Sequence, residues 1–206
     1  MNSKGQRTRA HIVDQVLPLL NTHGYAGTSL ESILAATGLR KGGVYNHFGS
    51  KEDLALAAFD AYVIRFRERL SAAVATAPDA YACLVAIAAQ LLRIAIDPVT
   101  PGGCLVFNTA LDSDDSQPRL AARARGALRD LLRFVALHVR RGIRSGELRP
   151  EVDPRQTAVV LVAVCEGAIA IGRLFDDPDQ LKRAAVFVEN YLDQLRRPGS
   201  QNGHSI

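Results

Sequence analysis

Residues Thr28–Leu54, TSLESILAATGLRKGGVYNHFGSKEDL, decide the fold. Thr28 followed three residues later by Glu31 has the spacing of a capping box. Leu30, Ile33 and Leu34 then give a short helix its apolar face, and Gly38 stops it. Residues 40–47 form a second short helix, basic at its start and carrying Tyr45, Asn46 and His47. Ser50 with Asp53 is another capping box, opening a helix predicted to run to about Ala75. Two short helices joined by a Gly-containing turn make a helix-turn-helix, a unit that sets its second helix in the DNA major groove.

Outward from this segment the chain stays helical. Met1–Gln6 reads as a loose basic arm. A first helix runs from about Arg7 to His23, with Ile12, Val13, Val16, Leu17 and Leu20 on one face at the 3.6-residue repeat. Gly24 suits the left-handed position past its end. Pro18 predicts a kink, or a helix that tolerates one lost bond on its wet side. Residues 7–49 thus form a compact three-helix unit. Beyond Pro78, helices are predicted at 79–96, 103–112, 117–145, 154–175 and 179–196, separated by DPVTPGG, DSDDSQP, SGELRPEVDP and FDDPDQ. Strand-type alternation is absent, so the class is all-α. The expected division is a helix-turn-helix domain at 1–50, a helical domain at 51–197 and a disordered tail at 198–206.

Hydrophobic residues at 48% and charged residues at 22% leave enough apolar material for a large core. A net charge of +4 agrees with a polyanionic partner without demanding one. Through Lys51 the chain carries six Lys or Arg against two acids, the basic excess lying in the arm and around residues 40–51. Cys83, Cys104 and Cys165 are an odd set without CxxC spacing, which argues for a reducing compartment. No signal peptide is visible, and the longest apolar run, Ala158–Cys165, ends at Glu166, too short to span a bilayer. A cytoplasmic protein without a membrane partner, a metal or a cofactor is expected.

The ordered set Gly24-Tyr25, Thr28, Gly38, Lys41-Gly42, Val44-Tyr45, His47-Phe48 and Ser50-Lys51-Glu52-Asp53-Leu54 resembles the tetracycline-repressor (TetR) family of bacterial transcription regulators. The match covers about the first 60 residues. Beyond it only helix number, length and spacing are similar. The resemblance implies an N-terminal three-helix DNA-binding unit and a C-terminal helical domain for ligand binding and dimerisation. It also implies a homodimer on a palindromic operator of double-stranded DNA, most often a repressor, released by a small hydrophobic or aromatic effector. Its two recognition helices would enter successive major grooves, roughly 34–36 Å apart. The helix 50–75, leaving the first domain for the second, is the expected lever.

Within the helix-turn-helix, Thr28 starts a helix whose unpaired N–H groups can hold a phosphate oxygen; a plain N-cap is the equal alternative. Lys41 and Lys51 each sit in a helix's first turn, where a cation is comfortable only beside an anion, which points to phosphate. Arg40 can read a guanine edge, bind phosphate or do neither. Gly42 allows close approach to the DNA backbone. Gly43 stands where the family more often has Ser, Thr or Ala; it weakens the helix by about 1 kcal/mol and offers no side chain to a base. Tyr45 is expected to reach phosphate through its hydroxyl while its ring packs on the domain. Asn46 can bond an adenine edge twice, with plain solvent exposure as its alternative. His47 resembles the family's phosphate-contacting His, against a buried structural role. Leu39, Val44 and Phe48 read as core.

In the rest of the chain, nine Arg between 119 and 149 suggest either a second nucleic-acid surface or, better, the wet face of an amphipathic helix, since they alternate with Leu128, Leu131, Leu132, Val135 and Val139. Ala163/Gly167 and Ala168/Gly172 form a small-residue stripe that lets another helix approach. With Phe187 and Tyr191 they make the expected dimer interface on 154–175 and 179–196, against packing inside one chain. An effector pocket is expected from Ile87, Leu91, Cys104, Phe107, Asn108, Leu111, Leu128, Leu132, Glu166 and Ile169, each with ordinary core as its alternative. Cys104, after Gly102-Gly103, is expected in a helix's first turn, where a thiol ionises more readily. Oxidation or alkylation of Cys104 is therefore an alternative switch. A Cys104-dependent enzyme, or a helical carrier that has lost DNA binding, are remoter readings. No His or acid stands in a recognisable relation to Cys104.

Overall fold

A computed structural model describes residues 4–113 and 117–198. Among these, the chain is helical throughout, with no named strand and one isolated antiparallel bridge, Leu148 to Arg196. The expected tail lies outside the described residues apart from Pro198. The helices are α1 (Lys4–Gly27), α2 (Leu30–Thr37), α3 (Lys41–Tyr45), α4 (Lys51–Ala75), α5 (Ala80–Arg93), α6 (Leu105–Asp112), α7 (Pro118–Arg144), α8 (Pro154–Leu174) and α9 (Asp179–Gln194). A 3₁₀ turn, Ile94–Ile96, follows α5.

The all-α class and most boundaries agree with the sequence reading. Two local expectations are corrected. Lys4–Gln6 are helical rather than a loose arm, because α1 starts at Lys4. The helix runs on through Pro18, the second of the two outcomes expected there; the non-helical residue inside α1 is Gly24, at φ 68 and ψ 178, a region essentially reserved for glycine. The second correction concerns the cap of α2. Thr28 is fully buried, and its hydroxyl donates to the Gly24 carbonyl at 2.7 Å. Ser29, extended at φ −78 and ψ 160, is the N-cap and accepts from the Ser32 N–H at 3.0 Å. The break at Gly24 turns Thr28 inward and shifts the cap by one residue. The Thr28–Glu31 capping box therefore does not form.

The other punctuation follows the physics read from sequence. Gly38 closes α2 in the left-handed conformation, φ 66 and ψ 15, its N–H donating to Leu34. Ser50 accepts from the Asp53 N–H at 3.0 Å and donates its hydroxyl to the Asp53 carboxylate at 2.8 Å. The Ser50 hydroxyl, and after it Arg119, holds the Asp53 carboxyl below its ordinary value.

Chain contacts define two compact units. One comprises the chain up to Arg67 together with Ile96–Leu128; the other comprises Glu68–Ala95 and the described residues from Arg129 on. The first has α1 packed on α2 and on α6. Ile12, Leu17, Ile33, Val44, Phe48, Leu54 and Phe59 are buried in it. Arg119 pairs with Glu52 at 2.8 Å and with Asp53 at 3.2 Å, and Arg123 with Asp60 at 3.5 Å. Arg65 pairs with Asp14. These exposed pairs contribute little each.

In the second unit α5, α8 and α9 pack on one another. The N-terminus of α5 is capped twice. Asp79 accepts from Ala82 at 2.7 Å, and the distant Glu147 carboxylate accepts from Ala80 at 2.8 Å and Tyr81 at 3.1 Å. Backbone bonds Arg149 N–H to Leu195 and Arg197 N–H to Glu147, both 2.9 Å, tie the end of α9 to the same turn. Helix α8 as a whole, unlike the short run Ala158–Cys165, is long and apolar enough to cross a bilayer, with mean hydropathy 1.9 over its most apolar stretch. Nearly half of that stretch, 44%, is buried, and Glu166 lies within it, as in the core helix of a helical domain. Along α7 the arginines are exposed while Leu131, Val135 and Val139 are buried, the geometry of an amphipathic helix with a wet basic face.

Candidate nucleic-acid interface

Helix α3 is anchored from behind and bare in front. Val44 and Phe48 are buried, and Leu39 is half-buried. Lys41, Gly42, Tyr45 and Asn46 are exposed and, at i, i+1, i+4 and i+5, share one helix face. Arg40 is the exposed N-cap, at φ −81 and ψ 161, with no side-chain cap bond. The helix is shorter than the expected 40–47. Asn46 is its C-cap, its N–H donating to Gly42 at 3.0 Å, and His47 closes the turn onto Val44 at 3.0 Å. His47 is half-buried.

A side chain at Gly42 would enter open space, so the absence of one bares the backbone there. At Gly43 a Cβ would meet Leu39 at 3.5 Å, an ordinary contact, and the residue is half-buried. A larger residue at 43 would thus lean on Leu39. Lys41 lies 6.0 Å from the Tyr45 ring centre. Lys51, in the first turn of α4, lies 4.3 Å over the Tyr25 ring, and burial pulls its pKa down. Burial, then the nearby Glu52 and Tyr45, pushes the Tyr25 phenol up, so it stays neutral at physiological pH.

Thr28 leaves the set of phosphate candidates, because a fully buried side chain meets no ligand. The exposed Ser29 holds the position expected of it, and only the register of the Thr28-Ser29 pair hid this. The basic excess of the arm included Arg9, but not its contact with Phe48, over whose ring the guanidinium lies at 4.8 Å. A cation–aromatic pair separated by 39 positions leaves no local signal.

The expected effector residues fall into both units. In the first, Cys104 is the buried N-cap of α6 rather than a first-turn residue, so its thiol is shut away from solvent-borne reagents. Asn108 is committed to the fold: its amide donates to the Asn21 side chain at 2.9 Å and to the Gly102 carbonyl at 2.8 Å. Leu111, 77% exposed, lines no interior. Phe107 and Leu128 are half-buried. In the second unit Ile87, Leu91, Glu166 and Ile169 are buried and Leu132 is half-buried.

The expected dimer stripe is also split. Ala168 is buried, and Gly172 faces Asp177, Gln180 and Leu181 of its own chain, with a Cβ only 3.2 Å from the Asp177 carbonyl. Gly172 thus lies against the α8–α9 turn. Ala163 is exposed, and a Cβ on Gly167 would meet nothing within 4 Å. Phe187, 54% exposed, stacks on the half-buried Tyr191 with ring centres 6.5 Å apart. Val159, Ile171 and Leu174 on α8, Phe175 just past it and Val186 on α9 are also exposed, apolar residues the sequence reading did not single out.

The chain is similar to known proteins in sequence and in fold. Residues 12–58 match the family described as bacterial regulatory proteins, tetR family, and residues 80–188 match the tetracyclin repressor-like C-terminal domain. A TetR transcriptional regulator from Chloroflexus aurantiacus is similar in structure with a TM-score of 0.89 at 40% identity, over 94% of this chain and 98% of that one. One from Cytophaga hutchinsonii gives 0.87 at 30% identity, over 95% and 98%. Among curated relatives, the HTH-type transcriptional regulator TtgR of Pseudomonas putida is 25% identical, over 94% of this chain and 93% of its own length. The HTH-type transcriptional repressor ComR of Escherichia coli is 28% identical, over 75% and 74%. With a helix-turn-helix whose outer face is bare and basic, and with both family regions present in order, the chain belongs to the TetR family and is a DNA-binding transcriptional regulator.

Proposed function

We propose that the protein is a homodimeric repressor that grips a palindromic operator through α3 and releases it on binding a small hydrophobic effector. The observation that carries the DNA reading is the face of α3: Lys41, Gly42, Tyr45 and Asn46 exposed, Val44 and Phe48 buried behind them. Lys41, Lys51, Tyr45 and His47 hold phosphates, and the bared backbone at Gly42 lets them come close. Ser29 joins them at the N-terminus of α2. Arg40 and Asn46 read base edges. Gly43 contributes backbone only.

The two-fold partner covers the apolar face of α8 and α9 made by Val159, Ala163, Gly167, Ile171, Leu174 and Phe187. Exposed apolar surface of this extent, on a helix apolar enough for a bilayer yet carrying Glu166, is best covered by a second copy of itself. Two copies also supply the two-fold symmetry a palindrome needs. The hydrophobic effector reading is supported by the apolar interior of the second unit, where Ile87, Leu91 and Ile169 are buried and Glu166 is a buried carboxylate. The repressor sign is supported by the relative named ComR, a transcriptional repressor.

Selection of duplexes from a random-sequence pool, with sedimentation of the free protein and the complex, tests the reading. Enriched palindromes bound two chains to a site are expected. A monomer in solution and on DNA, or enrichment of non-palindromic sites, overturns it.

A further inference from the structure

We propose that Tyr25 is a platform that positions the Lys51 ammonium for a DNA phosphate, and that α6 holds this platform in place through Asp112. The inference rests on the reading of Lys51 as a phosphate contact. It adds the residues that aim it.

Lys51 is poorly placed to aim itself. A lysine is a point charge on a flexible stem. In the first turn of a helix the exposed N–H groups repel it. The two carboxylates that follow, Glu52 and Asp53, would ordinarily capture it, but both are taken by Arg119, at 2.8 and 3.2 Å. What faces the ammonium is the Tyr25 ring, 4.3 Å away. The negative face of the ring favours the cation and narrows the positions it samples. An ammonium held over a ring still has donors free for a phosphate oxygen.

The ring is held by its own backbone. Gly24 breaks α1, and the Tyr25 N–H, freed there, donates to the Asp112 carboxylate at 3.0 Å. The fit is close: a Cβ on Gly24 would lie 2.6 Å from the same carboxylate oxygen. One turn earlier a second clasp repeats the link. The Asn21 amide donates to Gly103 at 2.8 Å and Pro101 at 3.0 Å, while the Asn108 amide donates to the Asn21 side chain at 2.9 Å. Asn21 and Tyr25 are four residues apart on α1, and Asn108 and Asp112 four apart on α6, so one face of α6 grips the end of α1 at two successive turns. A shift of α6 that withdraws Asp112 would loosen Tyr25 and let Lys51 disperse.

The test uses a duplex selected from a random-sequence pool by the full-length protein, with Kd measured against salt concentration. Lys51→Ala should flatten the slope of log K against log salt by about 1.8, one phosphate contact from each of the two protomers. Tyr25→Leu and Asp112→Ala should each weaken binding about two- to fivefold per protomer, as loss of one exposed cation–aromatic contact does. Tyr25→Phe and Asp112→Asn, which keep the ring face and the acceptor, should bind as the unmodified protein does. In a Lys51→Ala background the Tyr25 and Asp112 changes should add nothing. Additive losses, or full affinity in Tyr25→Leu while Lys51→Ala is weakened, overturn the platform. Unchanged binding in Lys51→Ala overturns instead the phosphate reading of Lys51. Should Tyr25→Leu fail to fold, the exposed Asp112 carries the same double-mutant comparison with Lys51.

Discussion

Single residues divide the DNA interface into gripping and reading. Lys41→Ala should weaken binding to every sequence and lower the salt slope by about 2, about 1 for each protomer of the dimer, because a phosphate contact carries no sequence information. Asn46→Ala should instead relax the preference at one base pair, at a cost of about 1–3 kcal/mol there, as read by competition between selected and substituted duplexes. Equal behaviour of the two variants would show that the exposed face of α3 does not divide as proposed. A second residue-scale effect lies in His138, buried with its Nδ1 lacking a hydrogen-bond partner and its ring edge-on to Phe134 at 4.8 Å. Burial, and then Arg141, pull its pKa below the ordinary 6.5. The folded state therefore disfavours the protonated ring. Stability from this site is fully present above pH 6.5 and is lost as pH falls through the lower folded value. His138→Phe should flatten that acid-side slope in urea titrations run across pH.

At the scale of elements, caps decide where helices begin, and they show how far local sequence reaches. Gly38 and the Ser50–Asp53 pair were legible because donor and acceptor lie within three or four residues of each other. The α2 cap was misread by one residue, since Thr28 and Ser29 have equal capping chemistry and only burial separates them. Glu147 was not legible at all: it caps α5 from 67 positions away. Glu147→Ala leaves the N–H groups of Ala80 and Tyr81 without that acceptor and should cost about 1–2 kcal/mol, measured as a lowered urea midpoint at unchanged m-value. Glu147→Gln, which keeps an acceptor oxygen, should recover most of it.

For the whole molecule, the dimer proposed on α8 and α9 predicts that dimerisation and DNA binding fail together. Phe187→Glu places a charge in a face proposed to be buried between copies, at a site 54% exposed in the single chain. The variant should sediment as a folded monomer with unchanged helicity by circular dichroism and should lose operator affinity; a persisting dimer would move the interface elsewhere. The sequence by itself determined the all-α class, most helix boundaries and the helix-turn-helix on which Lys41, Tyr45 and Asn46 are exposed. Those rest on periodicity, capping spacing and turn glycines, which act over a few residues. It also predicted a small-residue stripe on α8, and there the tertiary structure chose: Ala168 and Gly172 turn inward, Ala163 and Gly167 outward. The same holds for Asn108, which polarity suggested as a ligand contact and which the fold spends on Asn21 and Gly102. Its bond to Asn21 joins residues 87 positions apart. A buried polar group must find its partner wherever the chain brings one, and local sequence does not encode where that is.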